Sequence, residues 1–152
     1  KGALPPVLET LKGIAAAKKH LEIVTLLVPT LNDRETAIKA ETDWLAEHLG
    51  PDVPLHFTRF NPQFQLKNLP PTPVGVLDRA RQIAMKSGLR YVYTGNVPGH
   101  EGNHTYCPTC GKSLIERLGF QVLKNTLVGG ACPSCRTNIP GQWKGSGSLR
   151  GG

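Results

Sequence analysis

Residues 21–28 read LEIVTLLV, residues 55–60 read LHFTRF and residues 89–94 read LRYVYT. All three runs are short and rich in β-branched and aromatic side chains, the pattern of β-strands. Their starts are evenly spaced by 34 residues, and a segment with helical periodicity precedes each one. Parallel strands need a long crossover between them, and a helix usually supplies it. The sequence therefore predicts parallel β/α units. The nearly continuous apolar run in 21–28 further predicts a strand covered on both faces.

The intervening segments carry their own boundary signals. The first helix is expected over about residues 5–19, burying Val7, Leu8, Leu11, Ile14 and Ala15. Asn32 with Glu35 three residues on forms a capping-box pattern for the second, whose stripe is Ile38, Trp44, Leu45 and Leu49 before Gly50-Pro51. Thr72 and Pro73 read as N-cap and first-turn proline of the third, with Val76, Leu77, Ala80, Ile83 and Ala84 facing the core and Gly88 ending it. Three such strands make an incomplete sheet, and the charge-poor run at 21–28 leaves an edge that calls for a partner.

After Thr94 the composition turns to glycine, proline, asparagine and histidine, so a boundary is placed there. The expected organisation is three β/α units over 1–96, a loop and small module over 97–143, and a flexible tail over 144–152 that includes GSGSLRGG. The module is too short for a core of its own and needs another source of stability, separate from that of the sheet. Eighteen Lys and Arg against eleven Asp and Glu give a net charge of +7. The basic residues are scattered, as in Lys18-Lys19 and Arg79/Arg81, which argues against nucleic acid as partner. No apolar run reaches a membrane span, and the reading is of a cytoplasmic protein.

The module carries Cys107-Pro-Thr-Cys110-Gly and Cys132-Pro-Ser-Cys135-Arg, with 21 residues between the two knuckles. Two matched Cys-x-x-Cys turns aim four thiolates at one point, the donor set of a tetrahedral metal site. Zinc is the expected metal, with iron in a four-thiolate site as the rival. Disulfides and a thioredoxin-type redox pair are the competing uses of these cysteines, and the duplication favours the closed shell over both. Residues 114–116 and 120–123 read as the two strands of a zinc-ribbon hairpin, broken at Leu118-Gly119. His100 and His104 precede the first knuckle and are expected to be polar loop residues, because four cysteines fill the shell.

VTLLVPTLND, RFNPQF, NLPPTP, RYVYTGNVPGHEG and TYCPTCG occur in that order along the chain. Together they resemble the C-terminal part of the radical SAM enzymes of the AmmeMemoRadiSam system, relatives of pyruvate formate-lyase activating enzyme, over about residues 5–143. The resemblance implies an α/β fold, the later β/α units of a partial TIM-like barrel followed by the zinc-ribbon-like module. In such enzymes three N-terminal cysteines spaced Cys-x3-Cys-x2-Cys hold a four-iron four-sulfur cluster, on which SAM is reductively cleaved to a deoxyadenosyl radical. That motif is absent here, so SAM and the cluster belong to the intact enzyme alone, and this chain by itself is expected to be inactive.

The family's later strands wall the SAM pocket. By that resemblance Pro29 and Thr30 run past the adenine, Thr30 standing where a glycine is usual, and Arg59 and Asn61 follow the next strand, Asn61 where the activating enzymes carry a histidine. Asn96, His100 and Glu101 follow the third strand and could reach the same face. The partner implied is the missing N-terminal half of the barrel, or another copy of the chain. The alternative is a metal-stabilised binding module for nucleic acid or a protein.

Overall fold

The computed structural model describes residues 3–143, so the tail expected over 144–152 lies outside the described residues. Three helices and three strands alternate: α1 (Leu4–Ala16), β1 (Ile23–Leu27), α2 (Glu35–Leu49), β2 (Leu55–Arg59), α3 (Val74–Lys86) and β3 (Val92–Gly95). A second group follows, β4 (Thr105–Tyr106), β5 (Ser113–Leu118) and β6 (Gln121–Asn125). The first sheet is parallel with order β1-β2-β3, and the second is antiparallel with order β4-β5-β6. The expected α/β class, with a parallel sheet and a small antiparallel one, is therefore observed. Three strands do not close on themselves, and the described residues form no barrel.

Register decides which side chains share a face. Ile23 lies beside Leu55 and Leu55 beside Val92. One face therefore carries Ile23, Thr25, Leu27, Leu55, Phe57, Val92 and Thr94, and α2 and α3 pack on it through Ile38, Leu45, Leu77, Ala80 and Ala84. The opposite face carries Val24 and Leu26 from β1, His56 and Thr58 from β2, and Tyr93 and Gly95 from β3. Val24 is 65% and Leu26 44% exposed. The expectation that the first strand is covered on both faces is corrected: among the described residues, helices cover only one. The crossover helices between adjacent parallel strands lie on a single side; on the other, the cysteine module packs against Tyr93 of β3 and leaves β1 uncovered.

α1 also falls short of its expected burial. None of its residues is fully buried, Val7 is 51% exposed, and Leu8, Leu11, Ile14 and Ala15 are only half-buried. Among the described residues it leans mainly on α2, which leaves its apolar stripe only partly covered.

Both expected caps are replaced by other uses of the same side chains. α2 starts after Arg34 and α3 after Pro73, neither with a side-chain cap. Asn32 instead closes the turn after β1, accepting the Val28 N–H at 2.7 Å and donating to the Leu26 carbonyl at 2.9 Å. Thr72 is fully buried, accepts the Phe60 N–H at 3.1 Å and donates to the Leu27 carbonyl. It thus ties the ends of β1 and β2 together, and the backbone groups it satisfies outrank a cap.

In the second sheet, β5 and β6 meet at a two-residue turn of Gly119 and Phe120, with Leu118 opposite Gln121. Phe120 therefore sits in the turn and not in the strand, where the sequence had placed it. Substituting Thr72→Val keeps its shape and strands two buried backbone groups. A loss of about 1–3 kcal/mol is expected for each unpaired group, to be read by urea unfolding. An unchanged midpoint would mean that Thr72 is not the tie between the strand ends.

Candidate metal centre

The two knuckles fold into matching turns. In the first, the Gly111 N–H reaches the Cys107 carbonyl and the Cys107 N–H reaches the Lys112 carbonyl, each at 2.9 Å. In the second, the Arg136 N–H reaches the Cys132 carbonyl and the Cys132 N–H reaches the Thr137 carbonyl, again at 2.9 Å. The residue after the second cysteine is left-handed in both, Gly111 at φ 72° and Arg136 at φ 61°. Glycine takes that conformation freely, whereas an L side chain there is strained by about 1–2 kcal/mol.

These turns bring the sulfur atoms of Cys107, Cys110, Cys132 and Cys135 within 4.8 Å of one another. Cys107 and Cys135 are 3.4 Å apart, and Cys110 and Cys132 are 3.7 Å apart. A tetrahedron with metal–sulfur bonds of about 2.3 Å has edges of about 3.8 Å, so the four sulfurs fit a single ion. All four are free thiols, and among the described residues no other group of His, Cys, Asp or Glu is close enough to hold a metal. Cys107 and Cys132 are buried, while Cys110 is exposed and Cys135 intermediate.

Donors around the sulfurs split their proton affinities. The Thr137 hydroxyl, at 3.2 Å, and then its N–H bring Cys135 down to about 6. The Cys135 N–H, with that of Ser134, lowers Cys132. At Cys110 the Lys112 N–H favours the thiolate, but hydrogen bonds shared with Cys135, burial, and bonds shared with Cys107 and Cys132 push it up to about 12. Four sulfurs this close cannot all ionise without a cation, so ion binding displaces the protons that remain.

The residues suggested by the family resemblance gather elsewhere, at the C-terminal edge of the parallel sheet. Pro29 is buried and Thr30 exposed just after β1, Arg59 ends β2, and Asn61 is exposed after it. Arg59 donates from Nε to the Thr72 carbonyl at 2.9 Å, and Asn96 donates from Nδ2 to the Arg59 carbonyl at 3.0 Å. Thr30 has φ 71° and Asn96 φ 60°. A β-branched residue rarely tolerates that region, and such strain concentrates at functional sites.

His100 sits beside the end of β3. Its Nδ1 accepts the Gly102 N–H and meets the Thr94 hydroxyl, each at 3.0 Å, so Nε2 carries the proton donated to Asp78 at 3.0 Å. The ring locks the loop onto α3. A Cβ on Gly102 would meet the Thr94 hydroxyl at 2.6 Å, so the loop needs glycine there. His104 accepts the Arg117 N–H through Nδ1 and, like His100, stands apart from the sulfurs.

A further group of residues escaped the sequence reading. On the helix-free face of the sheet His56 stacks on Tyr93, with ring centres 4.9 Å apart, and the Arg117 guanidinium from β5 lies 5.8 Å from the same Tyr93 ring. Glu22 bridges His20 at 2.9 Å and His56 at 3.0 Å, and the two imidazoles hold its carboxyl below its usual range against the opposing effect of burial. These groups line a cleft of about 1040 Å³ between the helix-free face and the cysteine module. The alternation of LHFTRF was the available signal for a polar second face.

Fold and site together define a parallel β/α sheet joined to a paired-knuckle cysteine module suited to a metal. A protein of Methanocaldococcus jannaschii, itself uncharacterized, is 47% identical over 120 residues, covering 79% of this chain and 36% of that protein. The chain thus spans about a third of the length of this relative. No family model matches it.

The left-handed Arg136 gives a direct test of the knuckle geometry. Arg136→Gly should tighten the metal-bound form by about 0.5–1 kcal/mol, the strain relieved less the added chain entropy, read as a higher thermal midpoint of metal-loaded protein. In weakly buffered solution at neutral pH, uptake of one zinc ion should release fewer than four protons, because Cys135 is brought down to about 6. Release of four would contradict that ordering.

Proposed function

We propose that the chain is the C-terminal part of a radical SAM enzyme, supplying the later β/α units that wall the SAM and substrate site and a structural zinc ribbon. The observation that carries the reading is the gathering of Pro29, Thr30, Arg59, Asn61 and Asn96 at the C-terminal edge of a parallel sheet whose other face is exposed at β1. Open α/β sheets and barrels bind ligands at that edge. The left-handed Thr30 marks the same place.

The exposed face and outer edge of β1 and the exposed stripe of α1 all call for further β/α units, and the relative's greater length leaves room for them. In this proposal the cluster and the SAM amino group are held by those units, and Arg59 and the strand-end backbone by this chain. Zinc is the metal proposed for the four cysteines: a closed tetrahedral thiolate shell is its usual structural site. It stabilises the module and leaves no coordination position for chemistry.

A binding-module reading retains one specific observation. The β5–β6 hairpin exposes Leu118, Phe120, Val122 and Leu123, and all five residues of β6 are exposed. An apolar hairpin of that kind suits a protein partner better than nucleic acid.

The experiment is to express the complete reading frame that contains this chain, reconstitute it anaerobically with iron and sulfide, and supply SAM and dithionite. Deoxyadenosine is expected from the complete protein and none from residues 1–152, which lack an iron with an open position. Turnover by the isolated chain, or a complete protein without a three-cysteine cluster motif, would overturn the reading.

A further inference from the structure

The cysteine module and the helix-free face of the parallel sheet are joined by shared side chains. Tyr91, just before β3, is 6% exposed and belongs to the same apolar cluster as Cys107, Leu114, Ile115, Cys132 and Ile139. Tyr93, two residues on, packs against that cluster as well. Its ring also carries His56 on the cleft side and the Arg117 guanidinium. Its hydroxyl meets the Thr105 hydroxyl at 3.0 Å, and Arg117 Nη1 donates to the same Thr105 oxygen at 2.8 Å. From two buried metal-ligand positions the contacts therefore run through Tyr93 on β3 to His56 on β2 and on to Glu22, just before β1.

The module has little else to hold it. Its buried side chains are few, β6 is exposed throughout, and one member of its core is borrowed from the sheet. Four cysteines bridging residues 107–135 therefore supply much of the restraint that keeps β5, and Arg117 on it, against Tyr93.

We infer that the four-cysteine centre is a metal-dependent clamp on the cleft: the ion it takes fixes β3, Tyr93 and Arg117, and its loss loosens the cleft wall as well as the module. The relevant ion is a divalent metal that accepts four thiolates. The clamp requires a cleft and a metal centre but no SAM, so it stands or falls apart from the enzyme reading. It also reverses the expectation from sequence that sheet and module are stabilised separately.

Amide hydrogen exchange on residues 1–152, compared between zinc-loaded protein and protein stripped by a chelator with the thiols kept reduced, tests it. Metal removal should speed exchange across 107–139 and also in Val92–Gly95 and Leu55–Arg59. The strand amides should change roughly 2- to 30-fold, the range of coupling carried by packed networks, while the interiors of α2 and α3 keep their protection. Acceleration confined to 107–139 would show two independent units and overturn the clamp. Loss of protection in α2 and α3 as well would show that the metal supports the whole fold, and would overturn it equally. Arg117→Met keeps all four ligands. It should bind one zinc per chain while at least halving the metal-dependent change in Leu55–Arg59, and an undiminished change would remove Arg117 from the clamp.

Discussion

Phe57 is fully buried in the middle strand, and its position fixes the sheet. β2 is hydrogen-bonded on both sides, so its register aligns β1 and β3 and decides which side chains point toward α2 and α3. Because Leu55 and Phe57 face the helices, His56 and Thr58 must face away, and through the register so must Val24, Leu26, Tyr93 and Gly95. A slip of one residue would bury His56 and expose Phe57. The burial of one aromatic ring thus produces both the helix-covered core and the cleft on the other side.

The same constraint sets where the ligand-type residues of the sheet collect. Parallel strands end together, so Leu27, Arg59 and Gly95 deliver Pro29, Thr30, Asn61 and Asn96 to one edge. Thr72 ties two of these ends by their backbone and is wholly buried, so the edge is rigid where the strands stop. A left-handed Thr30 can persist only where its surroundings over-determine it, and the Asn32 and Asp33 side chains that bind the turn's backbone provide that restraint.

Much of this was legible in the sequence because it rests on local pattern. The three strands, the three helices and the hairpin follow from periodicity and turn residues, and the knuckles from spacing alone. The capping assignments at Asn32 and Thr72 failed because a side chain suited to a cap is equally suited to other unpaired backbone groups, and tertiary placement decides which it meets. The two-sided burial of β1 was over-read because an apolar run shows that a strand prefers cover but not whether nearby chain supplies it. The Tyr93 stack was invisible because its members lie on β2, β3 and β5, far apart in sequence.

The boundary placed after Thr94 shows how composition and packing can diverge. Glycine and proline mark where the regular strand ends, and they do so correctly, since β3 stops at Gly95. Packing does not stop there: Tyr91 and Tyr93 lie before the boundary and pack with Cys107 and Cys132 beyond it. A module with so few apolar side chains gains by borrowing from its neighbour, and the lender must then present an aromatic residue at the edge of its sheet. The tyrosines of LRYVYT lie two residues apart and so meet that need from one and the same face, Tyr91 buried against the cysteines just before β3 and Tyr93 packed beside them where it borders the cleft.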